Sequence, residues 1–379
     1  MTLPLEGIRI LESALQYPGP YCCMLLADLG AEVIKVEMPG VGDYARHLPD
    51  FFRSINRNKK SLTLNLKAPA GREVLYRLIE KSDVFTEGFR PGVAKRLGID
   101  YDTLSRKNPL LIYCSISGYG QEGPYRDLPG HDLNYQAMSG MLQCFKDSQG
   151  DFIQPTLAIG DLSSGMFAAV GILATLIARD RTGKGSYIDV SMFNGLLSWM
   201  STHLGTFFGT GKSTKVYEPG YGIFTGRDGK AFTLGIAHED WFWDRLCTAL
   251  GLEDLRGIPG SERRERRSEL TEKLRTAFGK ETREHWLETL EKADVPIAPV
   301  KTLEELTHDK HILHEEMIQD VQLSTGEPTK QVSFPIKITN LPRRIRMPPP
   351  ALGEHTVPLL SELGYSASDI EGLRRQSAI

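Results

Sequence analysis

Cysteine is scarce in this sequence, and its few copies are not arranged to hold a disulfide framework or a metal ion. The 379 residues contain five cysteines, none of them in a CxxC pair, and the adjacent Cys22 and Cys23 are typical of small apolar side chains in a helix. No spacing of Cys and His suits zinc. We therefore predict no metal site and a reduced, cytoplasmic protein.

The sequence also lacks an excess of charge, a membrane-length apolar run and a secretory leader. Lys and Arg number 45 against 48 Asp and Glu, so a nucleic acid is not a predicted partner. The longest apolar stretch, Met166–Ala178, has 13 residues, whereas a membrane span needs roughly 20. The N-terminal residues carry neither a basic region nor a long apolar core. We therefore expect a soluble enzyme with no membrane partner.

The common phosphate-binding and nucleophile motifs are missing as well. A dinucleotide-binding protein carries GxGxxG after its first strand, but here that position reads Gln16-Tyr17-Pro18-Gly19-Pro20. Neither a Walker A motif nor a GxSxG nucleophile elbow occurs. A fold prediction alone therefore supplies no function.

What the sequence does contain is a regular alternation of β-prone and helical segments. Short apolar runs predict strands, listed in chain order: Ile8–Leu11, Val33–Val36, Ser61–Leu66, Val84–Thr86, Leu110–Ser115 and Tyr187–Val190. Helical spacing between them predicts helices at Tyr21–Leu29, Ala70–Lys81 and Asp161–Ala178. Strands separated by helices of this length favour an α/β fold with a doubly wound parallel sheet.

The pattern changes in the second half of the chain. Gly205–Gly222 is rich in glycine and aromatic residues and is typical of a linker or a mobile loop. A hairpin signal follows, with strands at Gly222–Thr225 and Lys230–Leu234, and charged helices come after it. We predict a large domain over residues 1–205 and a smaller α+β domain over residues 222–325.

Three acidic or basic positions are candidates for chemistry, and each has an ordinary structural explanation. Asp161 precedes an apolar helix, so it could be a reactive carboxylate or an N-cap, and the local pattern favours the N-cap. His131 and Asp132 are adjacent, but neighbours on a helix point apart, so a helix start is the simpler interpretation. Glu239 stands before a helix whose dipole it complements. The aromatic cluster Trp241–Trp243 is more typical of a core than of a ligand platform.

Several segments taken together resemble one known family. They are Leu5–Leu11, Leu26–Glu37, Arg57–Leu66, Phe89–Gly92, Leu97-Gly98, Ser117–Gly120, Arg181–Gly185 and Leu352–Thr356. Their order and spacing are similar to the class III CoA-transferase family of the CaiB/BaiF type, which also contains the α-methylacyl-CoA racemases. The resemblance runs from residue 3 to about residue 370.

The resemblance implies an architecture and a set of partners. The large Rossmann-like domain would be built from both chain ends, with residues 326–379 forming a return linker and C-terminal helices around the small central domain. Two chains would be threaded through each other as interlocked rings in a homodimer. The substrate would be an acyl-CoA, with coenzyme A entering as part of the substrate and no permanently bound cofactor.

The resemblance also implies catalytic roles. Asp161 matches the family's catalytic aspartate, which forms an anhydride and then a CoA thioester in transferases and acts as one of two bases at Cα in racemases. His131 matches the second racemase base, since Gly130–Tyr135 fits the racemase motif Gly-His-Asp-x-Asn-Tyr in full. Glu239 falls near a glutamate that hydrogen-bonds this histidine. His131 and the length of 379 residues favour a racemase, whereas Leu157 and the run after Asp161 depart from the racemase pattern toward the transferases. We predict a racemase, with a CoA-transferase and a non-catalytic partner subunit as alternatives.

Binding residues follow from the same comparison, position by position. Those matching CoA contacts are Gln16, Leu64, Lys67, Phe89, Arg90 and Arg96, and Tyr135 is assigned to the substrate pocket. Met38 replaces a common Arg, which removes one expected phosphate contact. Basic side chains suit this ligand because CoA carries several phosphate charges.

Overall fold

The chain folds into two compact units. The computed structural model describes residues 3–147, 149–212, 217–339, 341 and 343–379. The first unit contains the chain as far as Thr202 together with His314–Ile379, and the second unit is His203–Leu313. The predicted small domain extends further toward the C-terminus than the second unit, because the hairpin at 318–332 packs in the first unit. In that unit the Gln319 side-chain amide donates to the Arg343 carbonyl over 2.5 Å.

A six-stranded parallel sheet forms the centre of the first unit, which confirms the predicted α/β class. Its strands are β1 (Arg9–Ser13), β2 (Glu32–Glu37), β3 (Lys59–Thr63), β4 (Val84–Glu87), β5 (Ile112–Ser117) and β6 (Ser186–Ser191). Their order across the sheet is β3-β2-β1-β4-β5-β6, the doubly wound order of dinucleotide-binding folds. The direction of winding reverses between β1 and β4, which leaves a crevice at the carboxyl ends of these two strands.

Helices cover both faces of this sheet. Those of the first half are α1 (Pro18–Asp28), α2 (Pro49–Ile55), α3 (Pro69–Ile79), α4 (Val93–Leu97), α5 (Tyr101–Lys107), α6 (Asp132–Met138), α7 (Ile159–Thr182) and α8 (Met192–Trp199). The next helix, α9 (Ser201–Thr210), belongs to the second unit from His203 onward. Consecutive strand residues point to opposite faces, and both faces are apolar. Ile10 and Val33 pack toward one layer, while their neighbours Leu11 and Ile34 pack toward the other.

Helix α7 is longer at both ends than the sequence predicts. Among the described residues it is the one helix whose length and apolar composition would allow it to cross a membrane. Its inner face packs on α1, and Gly165 makes this contact close, since a Cβ there would lie 2.8 Å from the Pro18 carbonyl oxygen. Its outer face keeps apolar side chains exposed, among them Val170 and Ile177.

The second unit is a small α+β body. Its antiparallel sheet contains β7 (Tyr221–Thr225), β8 (Ala231–Gly235) and β9 (Ile297–Pro299). Its helices are α10 (Asp240–Leu250), α11 (Gly260–Glu265), α12 (Arg267–Phe278), α13 (Arg283–Lys292) and α14 (Leu303–Thr307), followed by α15 (Lys310–His314). Trp243 lies in its core and donates its indole N–H to the Leu255 carbonyl over 2.7 Å, whereas Trp241 is exposed. The predicted loop Gly205–Gly222 begins inside α9, and its residues 213–216 lie outside the described part of the chain.

The chain then returns to the first unit and completes the edge of its sheet. The returning elements are the hairpin β10 (Ile318–Gln322) and β11 (Pro328–Val332) and the helices α16 (Thr356–Glu362) and α17 (Ala367–Arg375). The Asn58 side-chain oxygen accepts the backbone N–H groups of Arg346 and Met347. The Thr63 N–H donates to the Thr356 hydroxyl over 3.0 Å. The edge strand β3 is therefore held by residues almost three hundred positions further along the chain.

Candidate active site

A pocket of about 960 Å³ opens at the crevice where the winding of the sheet reverses. It lies at the carboxyl ends of β1, β4 and β5, where ligands bind in open α/β sheets. The structure brings seven of the predicted site residues to its wall: Gln16, Phe89, Arg90, Arg96, His131, Tyr135 and Asp161. Residues that sequence reasoning missed also line it, notably Tyr17, Tyr119 and Arg126. Their position after a strand of the sheet is the signal that could have identified them.

Leu64 and Lys67 do not line this pocket. The Leu64 side chain is buried in the apolar layer beneath α3, and its N–H donates to the Glu37 carbonyl over 2.8 Å. The Lys67 side chain is exposed, while its N–H donates to the Asn65 side-chain oxygen. Both residues follow β3, which is two strands away from the reversal point. Their predicted CoA contacts therefore remain predictions.

Asp161 is the third residue of α7 and does not cap it. The N-cap position is Ala158, whose side chain makes no capping hydrogen bond. The cap comes instead from α6, because Asp132 Oδ1 accepts the N–H of Gly160 over 2.6 Å and that of Asp161 over 3.3 Å. The sequence-based preference for an N-cap at Asp161 is thus wrong, and its own carboxyl is left facing the pocket.

The environment of Asp161 changes its acidity. Burial, and then the negative charge of Asp132, raise the pKa of the Asp161 carboxyl to about 7. Near neutral pH this carboxyl therefore exists in both its protonated and its ionised form. Such a group is suited to accept or donate a proton, or to attack as a carboxylate when ionised.

The motif Gly130–Tyr135 has a structural explanation for each conspicuous residue. A Cβ at Gly130 would lie 2.8 Å from the Tyr135 ring, so glycine lets the loop close over it. The Asn134 side-chain oxygen accepts the His131 N–H over 3.0 Å, which fixes the start of α6. The Tyr135 hydroxyl donates to the Gly130 carbonyl over 2.6 Å. These bonds leave the His131 ring exposed at the pocket wall.

A buried ionic network fixes the first loop of the pocket. Gln16 has a φ of 64° and donates its N–H to Asp43 Oδ1 over 2.9 Å. Asp43 in turn binds the ammonium group of Lys35 at 2.8 Å, and Lys35 also binds Glu12 at 2.7 Å, with all three charged side chains fully buried. Burial opposes the charge on Lys35, but Glu12 and Asp43 outweigh it and raise the pKa of this ammonium group.

Glu87 holds the second loop of the pocket. It ends β4, and its Oε2 accepts the Phe89 N–H over 2.7 Å, one residue before Arg90. Burial raises the pKa of the Glu87 carboxyl to about 7. Arg90, Arg96 and Arg126 give this wall of the pocket a positive charge that suits phosphate groups.

Glu239 belongs to the second unit, where its contacts are local. Its Oε2 accepts the N–H groups of Ala237 and His238 over 2.9 and 3.0 Å, just before α10. These bonds lower the pKa of the Glu239 carboxyl. Its predicted hydrogen bond with His131 stays a prediction. Within the described ranges, no group of three or more His, Cys, Asp or Glu side chains is placed to hold a metal ion.

Comparison with known proteins points to one family. The model of CoA-transferase family III matches residues 5–356. The chain is 33% identical to the succinyl-CoA:glutarate CoA-transferase of Mus musculus over 98% of this chain and 89% of that protein. It is 34% identical to the alpha-methylacyl-CoA racemase of Homo sapiens over 100% of this chain and 98% of that protein.

A solved structure agrees with these sequence matches. The crystal structure of a CaiB/BaiF family protein from Brucella suis superposes with a TM-score of 0.86 at 30% identity, covering 96% of this chain and all of that one. The family match extends across both parts of the first unit and across the second unit. The chain therefore belongs to CoA-transferase family III, a family that acts on CoA thioesters, and is an enzyme.

Proposed function

We propose that this enzyme racemises a 2-methylacyl-CoA by two-base proton transfer at Cα. The observation that carries the proposal is that Asp161 and His131 line one pocket, and that the pKa of Asp161 is raised to about 7. A racemase needs two groups, one on each face of Cα, which exchange the roles of acid and base. A carboxyl with this pKa can serve in either role near neutral pH, and histidine is the commonest general acid and base among side chains.

The steps follow from these assignments. One base removes the Cα proton, and the electron pair moves into the thioester carbonyl to give an enolate. The other group, protonated at the start, then delivers its proton to the opposite face of Cα and the carbonyl is restored. Arg90, Arg96 and Arg126 bind the phosphates of CoA, which fixes the thioester near Asp161 without taking part in the proton transfer.

CoA transfer between carboxylic acids is the second candidate. The similarity to a known CoA-transferase favours it. The sequence of this chain is 33% identical to the succinyl-CoA:glutarate CoA-transferase and 34% identical to the racemase, so sequence identity does not separate the two activities. In this reaction the ionised Asp161 would attack the thioester carbonyl, the C–S bond would break and CoA thiolate would leave. The thiolate would then attack the aspartyl carbonyl of the anhydride, which releases the first acid and leaves an aspartyl-CoA thioester. The carboxylate of the second acid would attack this thioester and displace CoA thiolate, and the thiolate would attack the acyl carbonyl of the new anhydride to give the product acyl-CoA and free Asp161.

One experiment separates the two reactions. The enzyme is incubated in D₂O with a 2-methylacyl-CoA of one configuration, with and without an added carboxylate. Inversion with uptake of one deuterium at Cα supports racemisation. Transfer of CoA to the added acid, without exchange at Cα, would reject racemisation and support the second candidate.

We also propose that the enzyme is a homodimer, which in this family would be of the interlocked kind. The outer face of α7 supports this, because Met166, Val170 and Ile177 are exposed at 46%, 61% and 57% along one stripe of a core helix. An apolar stripe of this kind is typical of a protein interface. Sedimentation at decreasing protein concentration tests the proposal, since a folded, compact monomer at any concentration would contradict it.

A further inference from the structure

We propose that Asp132, held by Gln136, is a positioning residue that fixes the first turn of α7 and restrains the ionisation of Asp161 by its own negative charge. This inference rests on the proposed function in one respect only, namely that Asp161 is the reacting carboxyl. It does not depend on which of the two reactions takes place, because both need an ionised Asp161 at some step.

The geometry shows how Asp132 reaches its target. It is the first residue of α6, and its Oδ1 accepts two N–H groups from α7, those of Gly160 and Asp161, across 28 residues of sequence. A Cβ at Gly160 would lie 2.9 Å from this oxygen, so glycine allows the short contact. Because Ala158 provides no cap, Asp132 satisfies N–H groups that the helix itself leaves open.

Gln136 holds the other oxygen of the same carboxylate. It lies one turn further along α6, is fully buried, and donates its side-chain N–H to Asp132 Oδ2 over 2.5 Å. Among the residues that the structure describes, none pairs with the Gln136 amide oxygen. Leaving a buried amide oxygen unpaired is costly, so the orientation of this amide is set by its bond to Asp132. Both oxygens of Asp132 are thereby fixed, and its charge is held beside Asp161.

The groups near Asp161 come from α6, from the residue before α1 and from α8. Asp132 on α6 is the charged one that acts on it, while Tyr17 before α1 and Tyr135 on α6 face it as phenols whose own pKa values are raised. From α8, the Leu196 side chain approaches the first turn of α7 at Gly160. A neutral residue in place of Asp132 would therefore remove the nearest like charge.

The variant Asp132→Asn removes the negative charge of Asp132 but keeps the oxygen that caps α7. The amide oxygen still accepts the two N–H groups, while the new NH₂ group meets Gln136, whose amide turns to present its free oxygen. We expect the titration of Asp161, followed by ¹³C NMR of labelled carboxyls and assigned with Asp161→Asn, to move down by about one pH unit. A downward shift of this size corresponds to a tenfold larger ionisation constant of the Asp161 carboxyl. The acidic limb of the activity profile should move with it.

The control is Asp127→Asn, which removes an exposed carboxylate from the same pocket wall, where it forms an ion pair with Arg126. It should leave the titration of Asp161 in place. An Asp132→Asn variant in which Asp161 titrates at the wild-type pH would overturn the proposal and leave Asp132 as a structural cap. Because the NMR titration needs no substrate, a shift in an enzyme that shows neither reaction would support this inference while rejecting the proposed function.

A second variant covers the case in which Asp132→Asn does not fold. Asp132→Glu keeps the charge and lengthens the side chain by one methylene, which disturbs the bonds to Gly160 and Asp161. We expect a lower melting temperature but a titration of Asp161 that stays high. A fall of that titration to the range of an ordinary aspartate would contradict an effect of charge.

Discussion

Replacing Glu87 by Gln should make the enzyme more stable at alkaline pH. The Glu87 carboxyl is buried at the end of β4, and burial raises its pKa from 4.5 to about 7. The folded state therefore holds a proton that the unfolded state releases between these two values. Stability must fall as the pH rises through this window, because the unfolded state binds fewer protons there. Gln cannot ionise, and its amide oxygen still accepts the Phe89 N–H.

The size of the effect follows from the difference between the two pKa values. A difference of about 2.5 units corresponds to roughly 3 kcal/mol of unfolding free energy, at 1.36 kcal/mol per unit. About 2.5 kcal/mol of this falls between pH 5 and pH 8, since part of the ionisation in the unfolded state is complete by pH 5. Asp161 contributes in the same direction, but it is unchanged in the variant and cancels from the difference.

Urea unfolding at pH 5 and pH 8 measures this difference, with ionic strength and protein concentration held constant. We expect the advantage of Glu87→Gln over the wild type to grow by about 2.5 kcal/mol from the lower to the higher pH. Glu80→Gln removes an exposed carboxylate at the end of α3 and serves as the matched control. An advantage of equal size at both pH values would refute the assignment of a buried, protonated Glu87.

Four further outcomes test the site and its support. Asp161→Asn should abolish turnover while calorimetry still detects CoA-thioester binding, because an amide is neither a base nor a nucleophile; residual turnover would contradict the role of Asp161. His131→Ala should stop inversion at Cα, measured by chiral analysis of the product, and inversion at the wild-type rate would exclude it as a base. Arg96→Ala should weaken CoA binding by about 1–3 kcal/mol at low salt, and more than Lys67→Ala, whose side chain lies outside the described pocket. Lys35→Met should lower the free energy of unfolding by about 3–5 kcal/mol, because it leaves the buried Asp43 carboxylate without its ion pair, while Glu12 keeps its ion pair with Lys59; an unchanged urea midpoint would contradict this.

Most strands of the large sheet could be predicted from the sequence because they are apolar runs buried on both faces. The edge strand β3 is displaced from the predicted Ser61–Leu66, because it begins with two lysines, Lys59 and Lys60, that do not read as an apolar run. The sequence predicts Val84–Thr86 for a strand that spans Val84–Glu87, and Tyr187–Val190 for one that spans Ser186–Ser191. The position of the pocket also follows from sequence order, once the parallel strands are arranged with right-handed connections. The apolar pattern and the order of the strands therefore predict the path of the backbone and the end of the sheet at which a ligand binds.

The contacts that give the site its chemistry could not be predicted in this way. Asp132 reaches the start of α7 from 28 residues away, so a local interpretation assigns the cap to Asp161 and is wrong. Lys35 lies within a buried strand, where a charged side chain resembles a surface position until its partners Glu12 and Asp43 are located. Leu64 occupies a core position that only the packing of α3 on the sheet reveals. Each depends on residues that are distant in sequence and adjacent in space.

The returning C-terminal segment has a consequence for the order of events during synthesis. The Ser61 N–H on the edge strand β3 donates to the His355 ring, and the two residues are 294 positions apart. At about 5–20 residues per second, a ribosome needs roughly 15–60 s to pass from one to the other. During that interval the nascent sheet has an open edge, and the edge is still open when the second unit is completed at Leu313, before His355 has been made. Exposed strand edges are sites of aggregation, so the newly made chain should depend on chaperones mainly in this interval.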